Sequence, residues 1–187
     1  MPRDNFLQRK QAVLSKLDKS SIGGWDEQIK ALCDKINRSD DFYTTSSCSG
    51  RIIVMVDQDK KGPGLFEFVS HNLVDFNSFF KYLPIEKAGL DLKFKFEPPI
   101  LHIACRNLEG AESILKKAMH LGWKRSGIIS LGRNIIVELI STEKLEFPFS
   151  RKGKLLVDHD FIKIVLEKAN GNMKKGWIKI KELKKIV

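Results

Sequence analysis

The chain has 187 residues, 42% hydrophobic and 30% charged, enough for one substantial core and ordinary for a globular protein rather than a disordered one. Charge begins at the third residue and no apolar run approaches a membrane span, so neither a secretory leader nor a transmembrane segment is expected and the cytoplasm is the expected location. A net charge of +10 favours a polyanionic partner such as nucleic acid, ahead of an acidic membrane surface.

Along the chain, Phe6, Val13, Leu14 and Leu17 recur at helical spacing, as do Trp25, Ile29, Leu32, Cys33 and Ile36. Two amphipathic helices are therefore expected within 5–38, joined by cap and turn residues at 18–24. A polar run, TTSSCSGR at 44–51, follows. Each buried hydroxyl needs a hydrogen-bond partner, so this run is expected outside the core, as a solvated turn or a polar pocket wall ahead of the apolar β segment 52–56. Segments 51–58 and 66–71, separated by a turn-rich stretch at 59–64, read as a hairpin. Phe76, Phe79, Phe80 and Leu83 mark a short helix ending before Pro84. A second pair of strands is expected at 92–96 and, beyond Pro98 and Pro99, at 100–106. Ala111, Ile114, Leu115, Ala118 and Leu121 stripe a further helix, with Gly122 at its C-terminal cap. Two β segments, 123–131 and 134–141, turn at Gly132. Asp158 is placed to cap a last helix with Phe161, Ile162, Val165, Leu166 and Ala169 on its apolar side. Its far end is basic, with Lys163, Lys168, Lys174, Lys175, Lys179, Lys181, Lys184 and Lys185 forming either a solvated face or an arm for an RNA backbone. This order of elements implies an α+β fold: a mixed or antiparallel sheet of repeated ββα-like units over 43–150, with flanking N- and C-terminal helices (5–38 and 158–187), in a single domain spanning 1–187.

Several chemistries are excluded by spacing. Cys48 and Arg51 are too close for a phosphatase loop, which needs five residues between its cysteine and arginine. His71, His102, His120 and His159 are scattered, and no cysteine or histidine pair has metal-ligand spacing, so no metal is expected. GxGxxG and GxxxxGK[ST] are missing, which argues against a Rossmann-type cofactor site. Cys33, Cys48 and Cys105 lack the density of a disulfide framework and fit a reducing compartment. What remains is a polar set at strand edges: Arg51 starts the first hairpin strand while Ser70 and His71 end the second, so antiparallel pairing brings them close. His102 lies inside an apolar strand, where a histidine is more often structural.

The motifs DKS (18–20), YTTSSCSGR (43–51), FVSH (68–71), LKFKFEPPILHIACR (92–106), SGI (126–128) and GKLLV (153–157) occur in an order that closely resembles the tRNA wybutosine-synthesizing methyltransferase family, the third enzyme of that pathway, in its stand-alone archaeal type. The resemblance implies an S-adenosylmethionine-dependent methyltransferase of non-Rossmann fold. Its implied substrate is the tricyclic wyosine-type base made from the guanosine beside the anticodon of tRNA-Phe. No obligatory protein partner is implied. This chain departs from the family pattern at Leu65 and Phe66, where a tryptophan is usual before the Ser-His pair, and at Asn72, where aspartate is usual after it. In this reading Ser46, Ser47, Ser49 and the Gly50 amide hold the polar ends of the cofactor or the base, with Thr45 and Cys48 in the same wall. Arg51 answers a carboxylate or phosphate. His71 takes up the proton that leaves the ring nitrogen, with Ser49 beside it as a catalytic candidate. Ser70, His102 and Arg106 complete the expected binding set, and Lys10, Arg106, Lys124, Arg125 and Arg133 are either phosphate or base contacts in an anticodon loop or simply solvated surface charges. The alternative is a noncatalytic basic RNA-binding module.

Overall fold

The structure, a computed structural model, describes residues 5–16, 26–58, 62, 64–83 and 89–187. The motif at 18–20, the helix positions Leu17 and Trp25, and Pro84 lie outside the described residues. Among the described residues, five helices and nine strands form an α+β protein whose strand pairs are all antiparallel. The antiparallel α+β expectation holds, but the strands sort into two sheets of four and five strands rather than one. The chain divides into two compact units, one made of 1–49, 99–142 and 176–187, the other of 50–98 and 143–175. No helix among the described residues is long and apolar enough to cross a membrane.

The first unit contains α1 (Asn5–Leu14), α2 (Glu27–Arg38), β1 (Phe42–Cys48), β5 (Ile100–Cys105), α4 (Leu108–His120), β6 (Gly127–Leu131) and β7 (Ile135–Ile140). Its sheet runs β1-β5-β7-β6. One face carries Leu101, Ile103, Val137 and Leu139, fully buried against Leu32 and Ile36 of α2 and Ile114 of α4. Side chains two apart on a strand share a face, so Ala104 lies on the other side, where Phe6 of α1 packs on Tyr43 with ring centroids 5.1 Å apart. Gly122 ends α4 with φ 88°, the left-handed conformation expected of its cap position.

The second unit contains β2 (Arg51–Val56), β3 (Phe66–Ser70), α3 (Phe76–Tyr82), β4 (Leu92–Glu97), β8 (Leu145–Arg151) and β9 (Lys154–Leu155), in the sheet order β3-β2-β4-β8-β9. Strict alternation in β4 buries Leu92, Phe94 and Phe96 and leaves Lys93, Lys95 and Glu97 half-exposed. The core is aromatic: Phe94 stacks on Phe147 at 5.2 Å, and Phe79 meets Phe149 edge-on at 5.9 Å. Asp75 caps α3 by accepting from the Ser78 N–H, and its carboxyl is held below the usual range mainly by that serine. The long helix α5 (His159–Ile186) supplies residues to both units, and Asp158 caps it, as expected, by accepting from the Phe161 N–H at 2.8 Å.

Two expectations of pairing are corrected. Segments 92–96 and 100–106 are consecutive strands but not partners: β4 pairs with β2 and β8, and β5 with β1 and β7. The cause lies in Pro98 and Pro99, which have no N–H to donate and favour extended backbone, so the chain leaves one ladder instead of turning back on it. The polar run is neither turn nor loop up to Cys48; it is β1, an edge strand. One of its residues is partnered from α2: Asn37 exchanges hydrogen bonds with the Thr44 N–H (2.8 Å) and hydroxyl (3.0 Å), which lets Thr44 be buried, while Ser47 lies beside the Cys33 thiol. The hairpin expectation holds, with Ile52 opposite Ser70.

Candidate functional site

β1 carries its hydroxyls in alternation, interrupted by a bulge between Thr44 and Ser46 that leaves Thr45 exposed. Ser46 lies opposite His102 of β5, and His102 opposite Glu138 of β7. Directly opposed residues project from the same face, so Ser46, His102 and Glu138 form one row, with His102 Nε2 2.8 Å from Glu138 Oε2. Both side chains are about a quarter exposed, at 27% and 29%, so this is a pair open to solvent and to a ligand. Ser47 points the other way, toward Cys33, whose burial pushes its thiol up to about 11; burial likewise raises Cys105 to about 12. Those two thiols are inert by desolvation. Ser49 is fully buried, and its N–H donates to Asp26 Oδ2 at 2.7 Å. Its hydroxyl oxygen has no hydrogen-bond partner among the described residues, an unmet demand of the kind a bound ligand relieves.

In the second unit, Gly50 has φ 99°, a backbone conformation that a side chain would strain. Arg51 follows and donates from Nε to Glu97 Oε2 at 2.8 Å, with its guanidinium over the Phe66 ring at 5.4 Å. Charges continue across that face: Lys95 lies 3.4 Å from Glu97 and 3.7 Å from Glu146, which Lys144 holds below the usual carboxylate range by hydrogen bonding. Nε alone answers Glu97, so the two Nη groups keep the fork geometry that suits a carboxylate or phosphate. The β2–β3 register puts His71 one step past Ser70, at the end of the hairpin where β2 begins with Arg51, as expected. Ser70 is occupied locally, its hydroxyl donating to Asn72 O and accepting from the Asn72 N–H. It also lines an open groove of about 520 Å³ with Glu67, Leu73 and Asp75, whose carboxylates do not suit a phosphate.

Other expected contacts fare differently. Arg106 pairs with Asp41 at 2.9 Å, donates to Asp40 O at 2.8 Å and covers Phe6, which ties it to the β1 entry loop. Lys10 is buried and donates to Ser39 O, so it is a tether rather than a phosphate contact. Lys124, Arg125 and Arg133 are exposed. Asp26, Glu97 and Glu138 escape the sequence reading. Glu138 had one signal, a lone charge inside the apolar strand IIVELI, but its pairing with His102 follows only from the β5–β7 register.

The methyltransferase TYW3 family model matches residues 8–187. This chain belongs to that family. It is 35% identical over 176 residues to a protein of Methanocaldococcus jannaschii named tRNA(Phe) 7-((3-amino-3-carboxypropyl)-4-demethylwyosine(37)-N(4))-methyltransferase, a match covering 91% of each chain. An Archaeoglobus fulgidus protein of the same name is 37% identical, covering 94% of this chain and 89% of the relative. The Homo sapiens tRNA wybutosine-synthesizing protein 3 homolog is 36% identical over 91% of this chain and 68% of its own length. Among solved structures, the PH1069 protein from Pyrococcus horikoshii superposes with a TM-score of 0.86 at 30% identity, covering 97% of this chain and 93% of that one. The resemblance read from the motifs is thereby borne out, and the chain is a methyltransferase that requires a methyl donor.

Proposed function

We propose that this methyltransferase transfers a methyl group from S-adenosylmethionine to a ring nitrogen of the wyosine-type guanosine beside the anticodon of tRNA-Phe, in the cytoplasm. The observation that carries this reading is the match across 91% of both chains to a relative named for that reaction. S-adenosylmethionine, when bound, supplies an electrophilic methyl on a sulfonium. In the first unit, exposed hydroxyls at Thr45 and Ser46 and a buried Ser49 hydroxyl lacking a partner suit its polar groups; in the second unit, the Nη groups of Arg51 suit a carboxylate. Ser47 and Cys48 back this wall, and Gly50 admits a close approach because it has no side chain. Positioning is the main contribution asked of these residues, since holding an acceptor nitrogen in line lowers the barrier by several kcal/mol, and by about 7–11 kcal/mol in the best-oriented systems, without a protein nucleophile. His71 takes the ring proton as a general base. His102, held by Glu138, contacts the base.

Mass spectrometry of nucleosides from tRNA-Phe of a strain lacking this protein tests the reading. Accumulation of a wyosine-type base lacking one methyl, restored to full mass by the purified protein and S-adenosylmethionine, is the expected result. An unchanged nucleoside profile refutes it, and tRNA binding with no calorimetric sign of S-adenosylmethionine binding favours the noncatalytic RNA-binding module.

A further inference from the structure

Charge in this protein collects on α5. Eight lysines against three carboxylates on its 28 residues account for half of the formal net charge of +10. Elsewhere several lysines are answered by carboxylates, as in Lys30–Asp34 at 2.7 Å, Lys93–Asp57 at 2.8 Å and Lys116–Glu112 at 2.6 Å. On α5 the pattern differs. Lys163 pairs with Asp160, and Lys179 is drawn inward to donate to Ser141 Oγ at 2.7 Å and Gly122 O at 3.3 Å. Lys168, Lys174, Lys175, Lys181, Lys184 and Lys185 are all exposed, and none is within ion-pair distance of a carboxylate among the described residues.

Helical geometry arranges these six. At 3.6 residues per turn, Lys174, Lys181 and Lys185 fall within about 40° of one another, Lys168 and Lys175 form a second row about 100° around the axis, and Lys184 lies about 80° to the other side of the first row. From Lys168 to Lys185 the rise is about 26 Å. Like charges one turn apart, as at Lys181 and Lys185, repel and weaken a helix; a bound polyanion removes that repulsion. A phosphate chain matches a long array of this kind better than a single anion does. A membrane surface matches less well, because the exposed apolar residues of the helix, Phe161, Ile164, Ile178 and Ile186, are split between its two ends with none between 164 and 178, which breaks an interfacial apolar face.

We infer that the solvent face of α5 binds the phosphate backbone of the double-helical stem next to the substrate loop. The inference rests on the RNA-substrate reading above and extends it to a surface apart from the reacting residues. The full-length K174Q/K181Q/K185Q variant tests it against tRNA-Phe at salt from about 50 to about 200 mM. Glutamine keeps helix propensity and removes the Lys181–Lys185 repulsion, so circular dichroism should not change and the melting temperature should not fall. Binding is expected to weaken by about tenfold or more at the low-salt end, and the slope of log affinity against log salt to flatten by about two to three. Affinity for a single-stranded oligonucleotide of the loop sequence is expected to match wild type. Unchanged affinity and slope for tRNA overturn the inference, as does an equal loss on the single-stranded oligonucleotide, or lysine-dependent binding to anionic phospholipid vesicles with none to tRNA. A wild-type protein that binds tRNA through these lysines but methylates none refutes the proposed reaction and leaves the surface standing.

Discussion

Gly176 on α5 separates a packing requirement from a helix-propensity effect. A Cβ at this position would lie 2.6 Å from Pro99 Cγ and 2.7 Å from Pro99 Cδ, about 1 Å inside ordinary carbon–carbon contact. The obstacle is a ring whose backbone torsion is locked, so relief requires backbone movement. Gly171, in the same helix, has nothing within 4 Å of its virtual Cβ. Alanine at either site gains about 1 kcal/mol of helix propensity. At Gly176 the overpacking cost, about 3 kcal/mol at the severe end, outweighs that gain and leaves a net loss of about 2 kcal/mol. For a chain of this length each kcal/mol moves the melting temperature by about 2–4 °C. Gly176→Ala should therefore melt about 4–8 °C lower than wild type, and Gly171→Ala about 2–4 °C higher, by calorimetry or circular dichroism. A Gly176→Ala protein as stable as wild type, or two variants shifting in the same direction, would refute the reasoning.

Arg51→Ala should lower the methylation rate by about two orders of magnitude or more while shifting the melting temperature by less than about 3 °C. Its pair with Glu97 is 31% and 34% exposed and contributes at most about 1 kcal/mol; a matching collapse of stability would make the residue structural instead. The buried thiols give a pH dependence. Cys33 and Cys105 are raised from 9.0 to about 11 and about 12, so the unfolded chain loses these protons first as pH climbs. Their contribution is complete below pH 9.0 and is lost as pH rises from there through about 11 and 12. Urea midpoints from neutral to alkaline pH should fall more steeply for wild type than for Cys33→Ala/Cys105→Ala, and parallel curves would contradict this assignment.

Local features of the chain are legible wherever one turn or one strand carries the whole signal. The stripes of α2 and α4, the caps at Asp158 and Gly122, and the β2–β3 hairpin each depend on residues within a few positions of one another. The motif order likewise identifies the family. Of the candidate site, the closeness of Arg51 and His71 is readable because a hairpin joins them. Glu138 beside His102 and Asp26 beside Ser49 are not, since each pair is separated by more than twenty residues. Lys179 illustrates the same limit: it lies within a basic run yet ends against Ser141.

By itself, then, the sequence determined most of the helices and strands, though not β1, β8 or β9, together with the basic balance and the family, because propensity, periodicity and motif order are local properties. Tertiary structure alone decided that β4 and β5 part at Pro98–Pro99 and join different sheets, and that the hydroxyl run is a paired edge strand with Thr44 satisfied by Asn37. Strand pairing is a choice among distant partners, and a buried hydroxyl is tolerated only when one of them supplies its hydrogen bond.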